Sequence, residues 1–137
     1  MVETNAIQNF EGKTILVVDD DEEIGSALAI ALSFEGYSVF QATSGKSALS
    51  ILDDHPINLI ISDIEMPEGD GFFLLKEIQT RKKITPLVFI SAHSDISSDS
   101  VKNMGALDLI RKPFDIVKLF SIISTLLFAK PIENAQK

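Results

Sequence analysis

Residues 59–71, LIISDIEMPEGDG, combine an apolar run, a single early aspartate and a turn rich in proline, glycine and acidic residues. The run from Ile57 to Ile61 is typical of a strand that is buried on both faces, as in a parallel sheet. Asp63 would then lie at the carboxyl end of this strand, at the edge where open α/β proteins bind their ligands. Asp63 could equally begin a polar turn, but three other strand-like runs also end in polar residues, which favours a functional edge.

The composition of the chain excludes several classes of function. Its 137 residues are 45% hydrophobic and 23% charged, as in an ordinary soluble domain with a hydrophobic core. The net charge of −8 argues against a nucleic-acid-binding surface, and the absence of cysteine excludes disulfides and thiolate metal sites. Residues 1–12 do not resemble a signal peptide, and the apolar stretch 116–129 is shorter than the roughly 20 residues of a spanning helix. We therefore expect a cytoplasmic protein without membrane contact.

Hydrophobic periodicity predicts five short strands that alternate with five helices. The acidic block 19–23 and Ser44 are suited to begin helices, whereas Gly36 and Gly105 are suited to end them. The predicted strands are 14–18, 37–41, 57–61, 87–90 and 107–110. The predicted helices follow the acidic block, Ser44 and Gly71, and two more cover 94–104 and about 115–128.

This alternation predicts a parallel sheet with helices on both faces and right-handed crossovers. The common order of five such strands is 2-1-3-4-5, which makes the first and third strands neighbours. Asp19 and Asp20, which follow the first strand, would then lie beside Asp63. Ser91 and Lys112 close the fourth and fifth apolar runs, so we expect them at the same edge.

Such a group of side chains suits phosphoryl chemistry. Three carboxylates repel one another unless a cation or a proton is present, and Mg2+ accepts oxygen ligands of this kind. Lys112 would add a positive charge, and a lysine and a metal ion beside a carboxylate both neutralise phosphoryl oxygens. Asp63 could then accept phosphate as an acyl phosphate, and Ser91 could donate to a phosphoryl oxygen. The alternatives are that the acids only cap the first helix and that Ser91 is a loop serine.

Four motifs, in this order and spacing, resemble the receiver domain of two-component response regulators. The motifs are Val17-Val18-Asp19-Asp20-Asp21, Asp63 with Met66-Pro67 and Asp70-Gly71, Ser91-Ala92, and Lys112-Pro113-Phe114. The resemblance spans residues 13–128 and extends to single-domain regulators of the chemotaxis type. It implies a flavodoxin-like doubly wound (βα)5 fold. It also implies a phosphorylation-activated switch, and not an enzyme that turns over an external substrate.

The resemblance implies a phosphoacceptor and a metal site. Asp63 would carry the aspartyl phosphate. Asp20 and Asp63 would bind Mg2+, or Mn2+, directly, and the backbone carbonyl of Glu65 would be a third protein ligand. Asp19 would contribute through a water molecule.

The resemblance also implies a switch, but one of its usual residues is replaced. Ser91 would be the switch hydroxyl, and Lys112 would contact the phosphate and form a cis bond to Pro113. The family commonly has an aromatic residue on the fifth strand, at the position of Leu109. A leucine has neither a ring nor a hydroxyl that could respond to Ser91, so the aromatic half of the switch is in question.

Glu65 and His93 lie two residues after Asp63 and Ser91, at positions where this family tunes the lifetime of the phosphoryl group. We predict that replacing either side chain changes the dephosphorylation rate. The alternative is that both are solvated loop side chains.

The resemblance implies partners and domain limits as well. The phosphoryl donor would be a histidine kinase or a histidine phosphotransfer protein, and small acyl phosphates could replace it. The output would pass through the fourth helix, fifth strand and fifth helix to a downstream protein or a second copy, without nucleic acid. We assign residues 1–12 to a flexible leader, 13–129 to the receiver domain and 130–137 to a tail.

The fourth and fifth helices differ in their sequence signals. The fourth is rich in serine and aspartate, which predicts a weak and easily displaced helix. The fifth has more apolar residues than the ~100° stripe that core packing requires, with Val117 and Phe128 outside it. Either the sheet and its neighbours cover these residues, or they form a docking patch.

Two other classes of protein remain open at this point. Asp19-Asp20-Asp21 satisfies the D-x-D pattern of Mg2+-dependent phosphohydrolases of the haloacid dehalogenase type, although Glu22-Glu23 departs from that family. Sustained turnover of a phosphate ester would support this class. The second is a scaffold that keeps the fold without phosphorylation, against which the intact Asp63, Asp20 and Lys112 argue.

Overall fold

The computed structural model describes residues 12–93 and 95–128. The strands are β1 (Thr14–Val18), β2 (Ser38–Ala42), β3 (Leu59–Asp63), β4 (Leu87–Ser91) and β5 (Asp108–Arg111). The helices are α1 (Glu22–Phe34), α2 (Gly45–Asp54), α3 (Gly71–Gln79), α4 (Ser98–Met104) and α5 (Ile116–Phe128). Apart from Gly12, the predicted leader lies outside the described residues, as does the predicted tail.

The strands form one parallel sheet in the order β2-β1-β3-β4-β5. The predicted order is confirmed, including the adjacency of β1 and β3, in which Val18 lies opposite Ser62. Asp63 lies opposite Ile90 on β4, and Ser91 lies opposite Arg111 on β5. The carboxyl ends of these strands therefore meet along one edge of the sheet. None of the described helices is long and apolar enough to cross a membrane.

Alternating strand residues supply the two faces of the sheet, because successive side chains of a strand point to opposite sides. Leu16, Ile60 and Phe89 belong to a core layer that includes residues of α2, α3 and α4. Their neighbours Ile15, Ile61 and Val88 belong to the other layer, which includes residues of α1 and α5. This division explains why the strand sequences are apolar almost throughout.

Helices α1 and α2 begin where polar capping residues were predicted. Asp21 caps α1, and Ser44 and Ser47 form a capping box at α2. Asp70 caps α3 through the Phe73 amide at 2.9 Å. These caps satisfy amides that a helix start leaves without partners.

Helix α4 is shorter than predicted. It begins at Ser98 and not at residue 94, because the Ser97 side chain accepts from the Ser100 amide and stops the helix there. It ends at Gly105, which has a positive φ of 112°, as expected for a C-terminal glycine. Strands β2 and β5 each begin one residue later than predicted, and β3 begins and ends two residues later than the predicted 57–61.

The core covers helix α5 only in part. Leu119 and Ile123 of this helix are fully buried against the sheet. Val117 is 68% exposed, and the exposed Phe128 has the Lys13 ammonium 5.5 Å from its ring centroid. Of the two alternatives for Val117 and Phe128, the structure therefore favours exposure, and most of the remaining apolar residues of α5 pack at least partly against the core.

Candidate functional site

Three aspartates converge where β1 and β3 end. Asp19 and Asp20 follow β1, and Asp63 ends the neighbouring β3, so the parallel register brings their carboxylates together. One carboxylate oxygen from each lies within 4.8 Å of the others. Asp19 is buried and Asp20 is exposed, while the Asp63 side chain is 16% exposed. The predicted cluster is therefore present, and one face of it is open to solvent.

Lys112 supplies the positive charge of this cluster. Its Nζ lies 3.3 Å from Asp19 Oδ2 and 3.3 Å from Asp63 Oδ2, and its side chain is only 20% exposed. The Lys112 backbone amide donates to the Ser91 carbonyl at 2.9 Å, which anchors the residue beside the end of β4. The peptide bond from Lys112 to Pro113 is cis, as the resemblance implies. We call Asp19, Asp20, Asp63 and Lys112 the acidic edge.

The acidic edge has more carboxylates than positive charges, and Lys112 is the lysine that faces them. Burial raises the pKa of Asp63, and the nearby Asp19 carboxylate adds to this effect, although Lys112 opposes it. Burial works against the charged form of Lys112, but the attraction of Asp63 and Asp19 outweighs it and raises the lysine pKa. Lys112 is therefore protonated at neutral pH, and the ionised Asp63 is less stable here than in water.

The backbone holds each buried carboxylate in a fixed orientation. Asp63 Oδ1 accepts from the Ile64 amide at 2.8 Å, and Asp19 Oδ1 accepts from the Asp21 amide at 2.9 Å. On the far side of Asp63, Gly71 approaches so closely that a Cβ there would lie 2.5 Å from the Asp63 carbonyl oxygen. The start of α3 can therefore pack directly beneath Asp63 only because position 71 has no side chain.

The donor set fits a hard divalent cation. The three carboxylates carry three negative charges, of which Lys112 compensates one, and all available donors are oxygens. Asp19, Asp20 and Asp63 are therefore suited to Mg2+ or Mn2+. The Glu65 carbonyl lies in the same loop, two residues after Asp63, and its role as a ligand stays a prediction.

Ser91 lies at the same edge and is completely buried. Its hydroxyl oxygen accepts a hydrogen bond from the His93 amide at 3.0 Å. Leu109 is 9% exposed and belongs to the core layer of α2, α3 and α4. It packs there as a core residue, two residues before Arg111 on the same strand.

Three contacts near the edge were not predicted. His93 Nε2 lies 2.9 Å from Glu65 Oε1, a contact that the separate predictions for these two residues did not include. Arg111 donates from Nη1 to the His93 carbonyl and from Nη2 to the Ile96 carbonyl. The position of Arg111 offered a signal, because it directly precedes Lys112 and shares a strand face with Leu109.

Comparisons with known proteins support one family. A sequence model described as "Response regulator receiver domain" matches residues 15–124, which include every side chain of the acidic edge. The chain is 40% identical over 114 residues to Response regulator RR06 from Streptococcus pneumoniae, which covers 82% of this chain and 52% of that protein. It is 37% identical over 108 residues to DNA-binding transcriptional regulator NtrC from Klebsiella pneumoniae, which covers 78% and 23%, respectively. The chain thus spans from about a quarter to about a half of the length of the curated relatives it matches.

Solved structures share the fold. Response regulator protein TrrA from Thermotoga maritima, in complex with Mg(2+)-BeF, has a TM-score of 0.75 and 34% identity. This similarity covers 84% of this chain and 99% of that chain. The receiver domain of NtrX from Brucella abortus has a TM-score of 0.77 and 35% identity, and covers 85% and 99%.

Proposed function

This chain belongs to the response regulator receiver domain family, and from that premise we propose that it is a phosphorylation-activated switch whose phosphoacceptor is Asp63. The family match favours this function over the haloacid dehalogenase-type phosphohydrolase. The observation that carries the proposal is the contact of Lys112 with both Asp63 and Asp19, because it places a lysine ammonium beside a carboxylate at the open edge. Residues 13–129 would be the receiver domain.

In the proposed reaction an Asp63 carboxylate oxygen attacks the phosphorus atom of a phosphohistidine. The new O–P bond forms as the P–N bond breaks, and the electron pair of that bond goes to the imidazole nitrogen, which gains a proton from solvent. The product is an aspartyl phosphate, and the donor is a histidine kinase or a histidine phosphotransfer protein. A small acyl phosphate can replace the donor, in which case a P–O bond breaks and a carboxylate leaves.

Lys112 and the backbone prepare Asp63 for this attack. The reaction needs the ionised carboxylate, which burial disfavours and the Lys112 ammonium favours. Lys112 would then turn from the carboxylates to a phosphoryl oxygen, where it neutralises developing charge. The Ile64 amide keeps one carboxylate oxygen fixed, which limits the orientations open to Asp63.

A divalent cation completes the proposed site. Asp20 and Asp63 would bind Mg2+ or Mn2+ directly, with the Glu65 carbonyl as a third ligand and Asp19 acting through water. When bound, the cation neutralises carboxylate and phosphoryl oxygens. It would compensate the two negative charges that Lys112 leaves at the acidic edge.

Ser91 and the surface formed by α4, β5 and α5 would carry the signal. The Ser91 hydroxyl would donate to the phosphoryl group, and the change would reach a downstream protein or a second copy of the chain. We propose no nucleic-acid contact for the receiver domain itself, and no turnover of an external substrate. The DNA-binding named for some relatives belongs to proteins of which this chain spans a quarter. Glu65 and His93 would set the dephosphorylation rate.

The proposal is tested by intact-mass spectrometry after incubation with acetyl phosphate and Mg2+. We expect a single phosphoryl adduct on the wild-type protein, which is lost in EDTA and in Asp63→Asn. Asp54→Asn is the matched control, because Asp54 is exposed at the end of α2, away from the acidic edge, and this variant should keep the adduct.

Beryllofluoride binding, followed by 19F NMR, separates a poor small-molecule donor from a missing site. A wild-type protein that forms neither the adduct nor the beryllofluoride complex would contradict the phospho-switch and favour the phosphorylation-independent scaffold. An adduct that persists in Asp63→Asn would place the phosphoacceptor elsewhere.

A further inference from the structure

Arg111 has an unusual position at the end of β5. Its guanidinium donates through two different nitrogens to the carbonyls of His93 and Ile96, both in the loop between β4 and α4. A guanidinium offers a rigid planar set of donors, so a single arginine can hold two carbonyls at once. The contact links the strand that carries Lys112 into the site with the segment that leads into α4.

His93 connects Arg111 to the switch hydroxyl. The His93 amide donates to Ser91 Oγ at 3.0 Å, and its carbonyl accepts from Arg111. Its ring pairs with Glu65, in the loop that follows Asp63, at 2.9 Å. His93 therefore contacts the Ser91 hydroxyl, Arg111 on β5 and the loop that follows Asp63. A movement of the His93 backbone disturbs all three contacts.

The side chain at position 109 cannot itself respond to Ser91. It is buried among core residues and has no polar group that could follow Ser91. Arg111 lies two residues further along β5, on the same face of the sheet, because side chains alternate along a strand. The chain therefore has a polar, multivalent side chain on the face where the family commonly has an aromatic one.

The segment that Arg111 holds is weakly packed. Helix α4 has seven residues, and Val101 is the only one of them that is buried. Its remaining attachments to neighbouring elements include the Gln79 amide on the Met104 carbonyl at 2.7 Å and a loose Lys102–Asp108 pair at 3.9 Å. With so little buried apolar area, two hydrogen bonds from one guanidinium are a large share of what positions this segment.

We propose that Arg111 is the switch-positioning residue of this chain and acts in place of the aromatic residue. In the unphosphorylated protein it holds the loop between β4 and α4 through the His93 and Ile96 carbonyls. When the Ser91 hydroxyl turns to the phosphoryl group, the His93 amide loses its acceptor and the His93 carbonyl moves. Arg111 then releases the loop, and α4 becomes free to shift. This inference rests on the proposed function, since it requires a phosphoryl group on Asp63.

Hydrogen exchange of the α4 segment, residues 95–104, tests the proposal in the wild-type protein and in Arg111→Ala. We expect beryllofluoride to raise wild-type exchange in this segment. In Arg111→Ala, exchange should already be about tenfold faster without beryllofluoride, and beryllofluoride should raise it little further. Arg111→Lys, which keeps the charge but cannot hold two carbonyls in a fork, should be intermediate.

Arg81→Ala is the matched control. Arg81 also donates to a backbone carbonyl, that of Glu77 at 2.9 Å, and pairs with Asp53 at 3.1 Å, but it lies away from the acidic edge. This variant should keep the wild-type exchange of residues 95–104 and the wild-type response. All variants should form the phosphoryl adduct, because none of the substitutions removes a residue of the acidic edge.

The outcomes separate the two proposals. If the wild-type protein takes neither phosphoryl group nor beryllofluoride, the proposed function fails, and the role of Arg111 fails with it. If the wild-type protein forms the adduct but Arg111→Ala shows wild-type exchange and a wild-type response, the role of Arg111 alone is overturned. Equal effects of Arg81→Ala and Arg111→Ala on this segment would also overturn it.

Discussion

Helices α3 and α4 both follow strands that end at the acidic edge, yet the core holds them very differently. Helix α3 has nine residues, and Gly71, Leu74, Leu75 and Ile78 are buried. Helix α4 has seven residues and buries only Val101. The first is attached by packing, and the second mainly by its caps and by side-chain contacts, which include those of Arg111 with the loop before it.

This difference in burial fits the proposed division between a constant site and a movable surface. The loop before α3 must keep Asp63 in one orientation. The Gly71 amide donates a hydrogen bond to the Ile64 carbonyl at 2.7 Å, which ties that loop to the start of the helix. Among the described residues, the segment before α4 is linked to the loop after Asp63 by the contact between the exposed side chains of His93 and Glu65. Under the proposed function, the constant site and the surface that changes are thus built on neighbouring strands with different amounts of buried area.

The largest expected effect is a loss of stability when a buried residue of the well-packed helix α3 is removed. Leu74→Ala removes a fully buried side chain from α3 and should lower the free energy of unfolding by about 2–5 kcal/mol, because it leaves a cavity in the core. Urea denaturation measures the loss. Val101→Ala on α4 is the counterpart, and we expect a smaller global loss with faster hydrogen exchange confined to α4. A greater loss for Val101→Ala would contradict the difference in attachment.

A smaller effect is expected where α3 meets Asp63, the proposed phosphoacceptor. In Gly71→Ala the new Cβ would lie 2.5 Å from the Asp63 carbonyl oxygen and 2.8 Å from the Phe89 ring, so the backbone must shift. We expect a loss of about 1–3 kcal/mol, as in other overpacked sites, and slower adduct formation by mass spectrometry.

Gly25→Ala is the control for this substitution. Its new Cβ would meet only the end of the flexible Gln41 side chain, at 3.0 Å, inside helix α1. Because alanine favours the helix over glycine, this variant should match or exceed wild-type stability. A Gly71→Ala protein as stable as Gly25→Ala would show that the close approach beneath Asp63 is not restrictive.

Removing the N-terminal cap of α4 tests how loosely that helix is held. Ser97→Ala removes the acceptor of the Ser100 amide and should cost about 1 kcal/mol, seen as local opening of α4 in hydrogen exchange. Asp70→Ala removes the equivalent cap of α3, whose buried residues should keep that helix closed. Equal local opening in both variants would show that packing does not hold α3 more firmly than α4.

The smallest effect concerns the charge of Asp63. Because its pKa is raised in the folded protein, protonation stabilises the fold, and the ionised carboxylate costs stability at pH values above the raised pKa. Asp63→Asn should therefore have a slightly higher melting temperature than the wild type at neutral pH in EDTA. The difference should disappear as the pH falls below the ordinary carboxyl pKa. A lower melting temperature at neutral pH would mean that the lost contact with Lys112 outweighs burial.

Sequence patterns alone determined the order of elements and the membership of the acidic edge. The apolar runs that end in Asp63 and Ser91 are local signals, and the alternation of strands and helices leaves few topologies for a parallel sheet. Adjacency of β1 and β3 then follows from the common strand order, so Asp19 and Asp20 could be placed beside Asp63 without coordinates. Caps such as Ser44 were equally local and were predicted correctly.

Only the tertiary structure decided which side chains contact one another across loops. The Glu65–His93 pair and the two bonds of Arg111 join segments that are distant in sequence, and their geometry depends on how neighbouring strands end. The start of α4 was placed too early because serine and aspartate suit both a cap and a first turn. Periodicity reports which face of an element is apolar, whereas these contacts depend on loop paths that packing of the whole sheet determines.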